Sequence, residues 1–113
     1  MKAVLARNYT LNGENGEWLG QVVLTNDGMF ASVTAYGNLA CSWAMMESTD
    51  FRVFLIGLHN GYFVTKLYTG MAYILSGEEC EKVCQKYANK ILPALQKVLK
   101  EELEKGVGWT DSH

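Results

Sequence analysis

The sequence predicts an α+β fold in which an antiparallel β-meander of three to four strands packs against a long C-terminal helix, with one or two short helices between. Three observations predict this fold. Apolar and polar residues alternate between turn signals over residues 17–44, the period becomes helical after Glu47, and one apolar stripe runs through residues 76–105. With 113 residues, the chain has the length of one domain, and we assign residues 1–113 to it.

The strands occupy the first half of the chain. The apolar run VVLT precedes the turn signal Asn26-Asp27-Gly28. In residues 29–36, which follow it, one set of side chains (residues 30, 32, 34 and 36) alternates with another (29, 31, 33 and 35), as in a strand. The two segments therefore predict a hairpin. A second turn is expected at Gly37-Asn38, because both residue types tolerate the positive φ that a tight turn requires. Residues 39–43 would form the next strand, and residues 2–9 are the candidate for a fourth.

A short helix is predicted after the strands. Ser48 or Thr49 can cap it, and we expect His59-Asn60-Gly61 to end it, because Gly and Asn take the left-handed conformation past a helix end. Residues 61–68 can form a second short helix, although their aromatic and β-branched content also suits a strand. The first helix has apolar residues at i, i+3, i+4 and i+7, namely Phe51, Phe54, Leu55 and Leu58.

The last element is a long helix over residues 76–105. Ser76-Gly77-Glu78-Glu79 matches a capping box, in which the first and fourth side chains pair with backbone N–H groups at the helix start. Gly106 is expected to end the helix, and Pro93 should kink it because proline lacks a backbone donor. The apolar stripe is broad enough to cover a sheet and includes Cys84, Tyr87, Ile91, Leu95 and Val98.

These patterns also predict the core and an exposed sheet face. A single long helix covers one face of a small sheet, so the other face should be partly exposed. The alternative is that short helices within residues 50–68 cover it. An exposed face favours a symmetric homodimer, since twofold symmetry is the commonest form of self-association. The predicted core residues are Val22, Leu24, Phe30, Val33, Trp43, Phe51, Phe54, Leu55, Tyr87, Ile91, Leu95 and Val98.

Composition and charge narrow the functional classes. The net charge is −2 at pH 7, and most of the lysines lie within residues 82–105, where glutamates are mixed with them as on a solvated helix face. This argues against direct nucleic-acid binding. Residues 29–46 contain no charged residue, but polar side chains interrupt them, so buried strands explain the run better than a membrane span. The odd set of three cysteines fits a reducing cytoplasm better than a disulfide framework.

The residues that could carry chemistry form no recognisable site. Cys80 and Cys84 share a helix face at a workable metal-ligand spacing, but the remaining ligands are missing. We therefore expect buried, inert thiols and no metal or other cofactor. Cys41 with His59 is the one pair that could supply a nucleophile and a base. No catalytic motif surrounds either residue, so the sequence predicts no catalytic residues and a protein that is not an enzyme.

Aromatic residues offer a binding surface instead. Tyr36, Trp43 and Tyr62 combine large apolar area with polar tips, as the anchor residues of interfaces do. Asp50 and Arg52 are the charged candidates, although Asp50 can also stabilise the first turn of its helix. These five residues are the predicted partner- or ligand-binding site.

A series of turn and aromatic motifs runs through residues 27–67. In order, the motifs are Asp27-Gly28-x-Phe30, Tyr36-Gly37-Asn38, Trp43, Asp50-Phe51-Arg52-x-Phe54-Leu55, Tyr62 and Lys66-Leu67. This series resembles a pattern in small proteins of bacteriophages and prophages. The resemblance implies an accessory protein in the cytoplasm of a bacterial host, from a class rich in small non-enzymatic proteins. Some members of that class inhibit host defence, including CRISPR systems.

Two hypotheses for the function follow. The first is a protein-binding accessory that engages a bacterial host protein or protein complex, as an inhibitor of a defence system such as CRISPR. The second is a protein that sequesters a small ligand or nucleotide, with Tyr36, Trp43 and Arg52 stacking on a base or pairing with a phosphate. A deep pocket lined by these three residues would favour the second hypothesis.

Overall fold

The first half of the chain forms one antiparallel sheet. In the computed structural model, which describes residues 4–44, 49–71 and 77–110, consecutive strands lie side by side. The predicted meander is confirmed with four strands, and Gly28, with φ 99°, completes the predicted turn between the second and third. The first strand begins later than predicted, and residue 2 lies outside the described residues. The strands are β1 (Ala6–Asn12), β2 (Trp18–Thr25), β3 (Met29–Thr34) and β4 (Gly37–Ser42).

The turn between β3 and β4 lies earlier than predicted. Ala35 and Tyr36 form it, neither with a positive φ, and Gly37 with φ 124° is already the first residue of β4. The Thr34 hydroxyl closes this turn, because it accepts a hydrogen bond from the Tyr36 N–H at 3.0 Å and donates one to the Gly37 carbonyl at 2.6 Å. The predicted turn at Gly37-Asn38 is therefore wrong. The positive φ is needed at the entry to β4, where pairing with β3 has begun.

Helix α1 (Phe51–Ile56) begins immediately after Asp50. The Asp50 carboxylate accepts a hydrogen bond from the Arg52 N–H at 2.9 Å and so caps the helix. The prediction that Thr49 caps it is wrong, and Ser48 lies outside the described residues. A carboxylate at this position also complements the positive end of the helix dipole. Asp50 thus has a structural role in the fold.

Helix α2 (Asn60–Met71) confirms the second short helix and extends it beyond the predicted range. Helix α1 ends at Gly57, so the prediction that His59-Asn60-Gly61 ends it is wrong. The His59 Nδ1 atom accepts a hydrogen bond from the Gly61 N–H at 3.0 Å. Since the first N–H groups of a helix lack intrahelical acceptors, this tripeptide begins the second helix.

Helix α3 (Gly77–Glu104) confirms the long C-terminal helix, whose predicted cap Ser76 lies outside the described residues. Gly106 ends it with φ 71°, as predicted. The N–H of Val107 bonds to the carbonyl of Glu102 and that of Gly106 to Leu103, which is a Schellman motif. Pro93 lies within the helix, and the kink expected there stays a prediction. No helix in the described segments is long and apolar enough to cross a membrane.

All three helices lie on the same side of the sheet, where α2 and α3 contact the strands and α1 contacts α3. Phe63 of α2 lies between the sheet and α3, with its ring centroid 5.7 Å from that of Phe30 and 6.2 Å from that of Tyr87. The hydroxyls of Ser32 and Tyr87 share a hydrogen bond across the same layer. The second sheet face is exposed, as expected, and the alternative that the short helices cover it is wrong.

Most of the predicted core is confirmed. Trp43, Phe54 and Val98 are only half-buried, but they pack against the core. The prediction that Val33 lies in the core is wrong, because its side chain is 56% exposed. Successive side chains of a strand point to opposite faces, so residue 33 cannot face the helices when Phe30 does. The remaining predicted core residues, which are buried, are Val22, Leu24, Phe30, Phe51, Leu55, Tyr87, Ile91 and Leu95.

Candidate functional site

A largely apolar groove lies between α1, α2 and the end of β4. Trp43 lies just past β4, where its backbone N–H donates a 2.9 Å hydrogen bond to the Gly28 carbonyl. Its ring centroid lies 5.6 Å from that of Phe54 and 6.5 Å from that of Phe63. The groove has a volume of about 470 Å³. We call it the aromatic groove, and its lining consists of Trp43, Phe54, Leu58, Tyr62, Thr65, Lys66 and Thr69.

Helix α2 presents one stripe of side chains to the aromatic groove, since residues 62, 65, 66 and 69 follow the spacing of a helix face. Tyr62 is 74% exposed. The Lys66 ammonium lies 5.4 Å from the centroid of the Trp43 ring, which is a cation–π distance. The groove therefore combines an apolar wall, an exposed phenol and one cation, which can make apolar, hydrogen-bond and charge contacts with a bound group.

A second groove lies between the β1–β2 connection and α3 and contains Tyr36. It has a volume of about 510 Å³. The Lys86 ammonium lies 5.9 Å from the centroid of the Tyr36 ring. Its lining includes acidic and basic side chains, namely Glu14, Glu17, Lys90 and Lys97. We call it the polar groove.

A buried network of charged groups joins β1, α1 and α3. Glu102 is at its centre. The Oε1 atom of Glu102 accepts hydrogen bonds from Arg52 at 2.6 Å and from the Tyr9 hydroxyl at 2.7 Å, and its Oε2 atom accepts one from Arg7 at 3.1 Å. Arg52 also pairs with Asp50 at 2.8 Å. Both arginines are 3% exposed, and within the described segments the carboxylates of Glu102 and Asp50 pair with them.

The same network holds the chain segment that follows α3. Arg7 donates a 2.8 Å hydrogen bond to the Gly108 carbonyl, and Arg52 donates one of equal length to the Val107 carbonyl. The Arg52 guanidinium also lies 5.0 Å from the centroid of the Trp109 ring. The network thus holds residues 107–109 against the first strand and the first helix and stabilises the fold there.

Hydrogen bonding keeps both carboxylates of the network charged. Burial alone would raise the pKa of Glu102, but hydrogen bonds from Arg52, Tyr9 and Arg7 outweigh it and hold the pKa below its usual value. Burial is outweighed in the same way at Asp50, where hydrogen bonds from Arg52 lower the pKa. The network therefore remains ionised at neutral pH.

The structure brings two of the five predicted binding residues together. Trp43 and Tyr62 line the aromatic groove. Tyr36 lines the polar groove. Asp50 and Arg52 belong to the buried network, where each is bonded to other groups of the chain. A binding role for any of the five stays a prediction.

Sequence reasoning missed three participants, although each had a signal. Arg7 lies two residues before Tyr9, which is the spacing of one strand face. Glu102 lies three residues after Leu99, on the buried stripe of α3. Lys66 lies four residues after Tyr62, hence on the same face of a helix. Glu102 was concealed because the charged residues of the last helix were interpreted as a solvated face, and neither Arg7 nor Lys66 was considered as a site residue.

The thiols of Cys41 and Cys84 have raised pKa values. Burial raises the pKa of the half-buried Cys41 to about 11. Burial, together with the Cys80 thiol 3.9 Å away, raises the pKa of Cys84 to about 12. A nucleophilic cysteine needs the opposite shift. His59, the one base that the sequence offered for Cys41, accepts a hydrogen bond from the Gly61 N–H at the start of α2. Among the residues that the structure describes, no group of three or more His, Cys, Asp or Glu could hold a metal ion.

Comparison with known proteins identifies a family. A family model described as a phage family matches residues 2–83, a span that contains the sheet, α1, α2 and the three aromatic residues that line the aromatic groove, Trp43, Phe54 and Tyr62. No curated protein and no solved structure matches the chain. Because the matched span covers well over half of the 113 residues, the chain belongs to this family of phage proteins.

Proposed function

We propose that this phage-family protein is a non-enzymatic accessory protein that acts by binding a bacterial host protein at the aromatic groove. The observation that carries the proposal is Tyr62, whose side chain is 74% exposed at a largely apolar groove. Exposed aromatic side chains beside apolar grooves are typical anchors of protein interfaces. We further propose that the bound protein belongs to a host defence system such as CRISPR, and that binding inhibits it.

The groove lining indicates which side chains a partner would present. Trp43, Phe54 and Leu58 form an apolar wall, which favours insertion of an apolar side chain. Lys66 lies over the Trp43 ring and remains partly exposed. A carboxylate next to the inserted apolar side chain would pair with this ammonium at the edge of the contact. The proposed ligand is therefore a protein segment with adjacent apolar and acidic residues.

Two observations support binding over catalysis. The charged groups of Arg52 and Glu102 are bonded to one another in the interior. The thiols of Cys41 and Cys84 have raised pKa values, which reduces their nucleophilicity at neutral pH. The exposed groups at the aromatic groove are an aromatic ring and a lysine, which suit recognition.

Affinity capture with matched variants tests the binding function. The wild-type chain, Tyr62→Ser and Val53→Ser are used as baits in lysate of a bacterial host. Val53 is the control, because it is exposed on α1 and lies outside the groove lining. We expect one stoichiometric host protein with the wild type and the control, and binding at least about tenfold weaker with Tyr62→Ser, as for an anchor residue. Equal capture of the host protein by all three chains would exclude the aromatic groove as the binding site. If the wild type captures no host protein, the proposal of protein binding is contradicted.

A plaque assay tests the defence target separately. The three chains are expressed in a bacterium whose CRISPR system restricts a test phage. The wild type and Val53→Ser should raise the plaque count, and Tyr62→Ser should not. Unchanged plaque counts with the wild type, combined with successful capture of a host protein, would reject CRISPR as the target while leaving protein binding in place.

The polar groove supports a second candidate function, the sequestering of a nucleotide. Tyr36 offers a ring for stacking, and Lys90 and Lys97 offer charge for a phosphate. Trp43 lines the other groove and Arg52 is bonded within the network, so of the three predicted nucleotide contacts only Tyr36 contributes here. A saturating nucleotide should raise the melting temperature of the wild type but not of Tyr36→Ala. A flat series across nucleotides would reject this candidate.

A further inference from the structure

The outward face of the sheet, which we call the sheet face, lacks charged side chains along its described strands. Register pairs Val23 with Ala31 and Ala31 with Ala40, so these residues form one row across the face. Met29 and Val33 flank this row, and both are 56% exposed. At the outward positions of the four described strands, no side chain is Asp, Glu, Lys or Arg.

This composition is unusual for a surface kept in water. The solvated side of an antiparallel sheet is normally polar, and soluble surfaces normally carry charges of both signs. The chain has 10 basic and 12 acidic residues, and it places them elsewhere, including the exposed side of α3. Polar uncharged side chains such as Asn8, Thr10 and Gln21 share the sheet face with the apolar ones, so the face differs from an ordinary solvated surface in its lack of charge.

We propose that the sheet face is the interface between two copies of this chain related by a twofold axis. In such an interface each surface patch meets its own copy. A charged patch would repel its copy, whereas an uncharged one is compatible with itself. The small side chains of Ala31 and Ala40 lie in the middle row and allow the two sheets to approach to about 10 Å, the usual spacing of packed sheets.

The area of the sheet face predicts a weak, reversible dimer. A standard interface buries about 800 Å² per partner over roughly 20–30 residues. Only every second residue of four short strands points outward, so the sheet face alone supplies about half of that number. The aromatic groove lies on the helix side of the sheet, and a dimer formed through the sheet face would leave both grooves open. The dimer would then be a bivalent binder.

Sedimentation equilibrium of matched lysine variants tests the interface. Val33 and Val53 are both 56% exposed, but Val33 lies on the sheet face and Val53 on α1. The mass of the wild type and of Val53→Lys should rise from 12.6 kDa towards twice that value over the micromolar range. Val33→Lys should weaken dimerisation at least about tenfold, because each subunit would bring an ammonium against the other. Ala31→Glu should have the same effect, and circular dichroism confirms that each variant is folded.

A wild type that stays at 12.6 kDa throughout would overturn the proposal, as would equal weakening by Val33→Lys and Val53→Lys. If the wild type is monomeric and Val33→Lys instead abolishes capture of a host protein, the sheet face binds that protein and the dimer is rejected. Tyr62→Ser should leave the dimer intact. The dimer and the groove function can therefore fail independently.

Discussion

Arg52 donates a 2.6 Å hydrogen bond to Glu102, a residue 50 positions later in the chain. The bond joins the first short helix to the last turn of the long helix. Helix α1 also carries Phe54, which lines the aromatic groove. The buried network thus positions a helix on which the proposed binding site depends.

Removing the central carboxylate should destabilise the fold strongly. Glu102→Ala would remove from the interior a carboxylate that is paired with both buried guanidinium groups, Arg7 and Arg52. Breaking a buried ion pair by removing one partner costs about 3–5 kcal/mol. Urea unfolding should show a loss in this range. The control Glu101→Ala removes an exposed carboxylate from the same helix turn and should change stability by less than about 0.5 kcal/mol. Similar losses for both variants would contradict the role assigned to the network.

Acid should unfold the protein through the same carboxylates. The pKa values of Glu102 and Asp50 are lowered in the folded state, whereas unfolded Glu and Asp titrate near about 4.3 and 3.9. The stabilisation that these two carboxylates give the folded state is fully present above the unfolded pKa values. It is lost as the pH falls through the lower pKa values of the folded state. Stability should therefore fall steeply below about pH 4 in the wild type and less steeply in Glu102→Gln. The free energy of unfolding of both proteins is measured by denaturant titration at a series of pH values. If it falls equally steeply with pH in the wild type and in Glu102→Gln, Glu102 does not cause the acid sensitivity.

Gln96 should stabilise the end of α1. Its side-chain amide donates to the carbonyls of Leu55, Ile56 and Leu58 at 3.0, 3.2 and 3.1 Å. Gln96→Leu would leave these half-buried acceptors unpaired at a cost of about 1–3 kcal/mol, measured by chemical unfolding. Gln85→Leu on the exposed side of the same helix is the matched control and should be close to neutral. No difference between the two variants would mean that water replaces the amide.

Gly20 should tolerate no side chain. A Cβ atom there would lie 2.6 Å from Thr34 Cγ2 and 3.0 Å from Thr34 Cα, and the second contact is with backbone that cannot rotate away. Gly20→Ala should cost about 1–3 kcal/mol, as overpacking usually does. At Gly57, φ is −88° and a Cβ atom would lie 3.9 Å from its nearest neighbours, so Gly57→Ala should be neutral or slightly stabilising. Thermal melts of the two variants decide this, and equal melting temperatures would refute the close approach of β2 and β3 at this point.

Local patterns predicted the elements well and their contacts poorly. Alternation and helical spacing depend on neighbouring residues, so the meander, the short helices and α3 followed from sequence. Boundaries depend on single hydrogen bonds, such as those of Thr34 and His59, which composition does not reveal. Val33 was placed inside by hydrophobicity, although the phase set by Phe30 puts it outside.

The candidate site was predicted only in part for a similar reason. Trp43 and Tyr62 were chosen as aromatic residues with polar tips, and the structure places both at one groove. Their meeting depends on how α2 packs against β4, a contact that no local pattern encodes. Arg52 was chosen for its charge, but its pairing with Glu102 joins distant segments and could not be read from spacing.

Site-specific photo-crosslinking from position 62 tests the groove function most directly. A photoreactive phenylalanine analogue replaces Tyr62 in one chain and Val53 in another, and both are irradiated in living host cells. Because the Tyr62 side chain lies at the aromatic groove and is 74% exposed, position 62 should yield one discrete adduct with a host protein. Position 53, which lies outside the groove lining, should not yield that adduct. Absence of an adduct from position 62, or the same adduct in equal yield from both positions, would contradict binding at the aromatic groove.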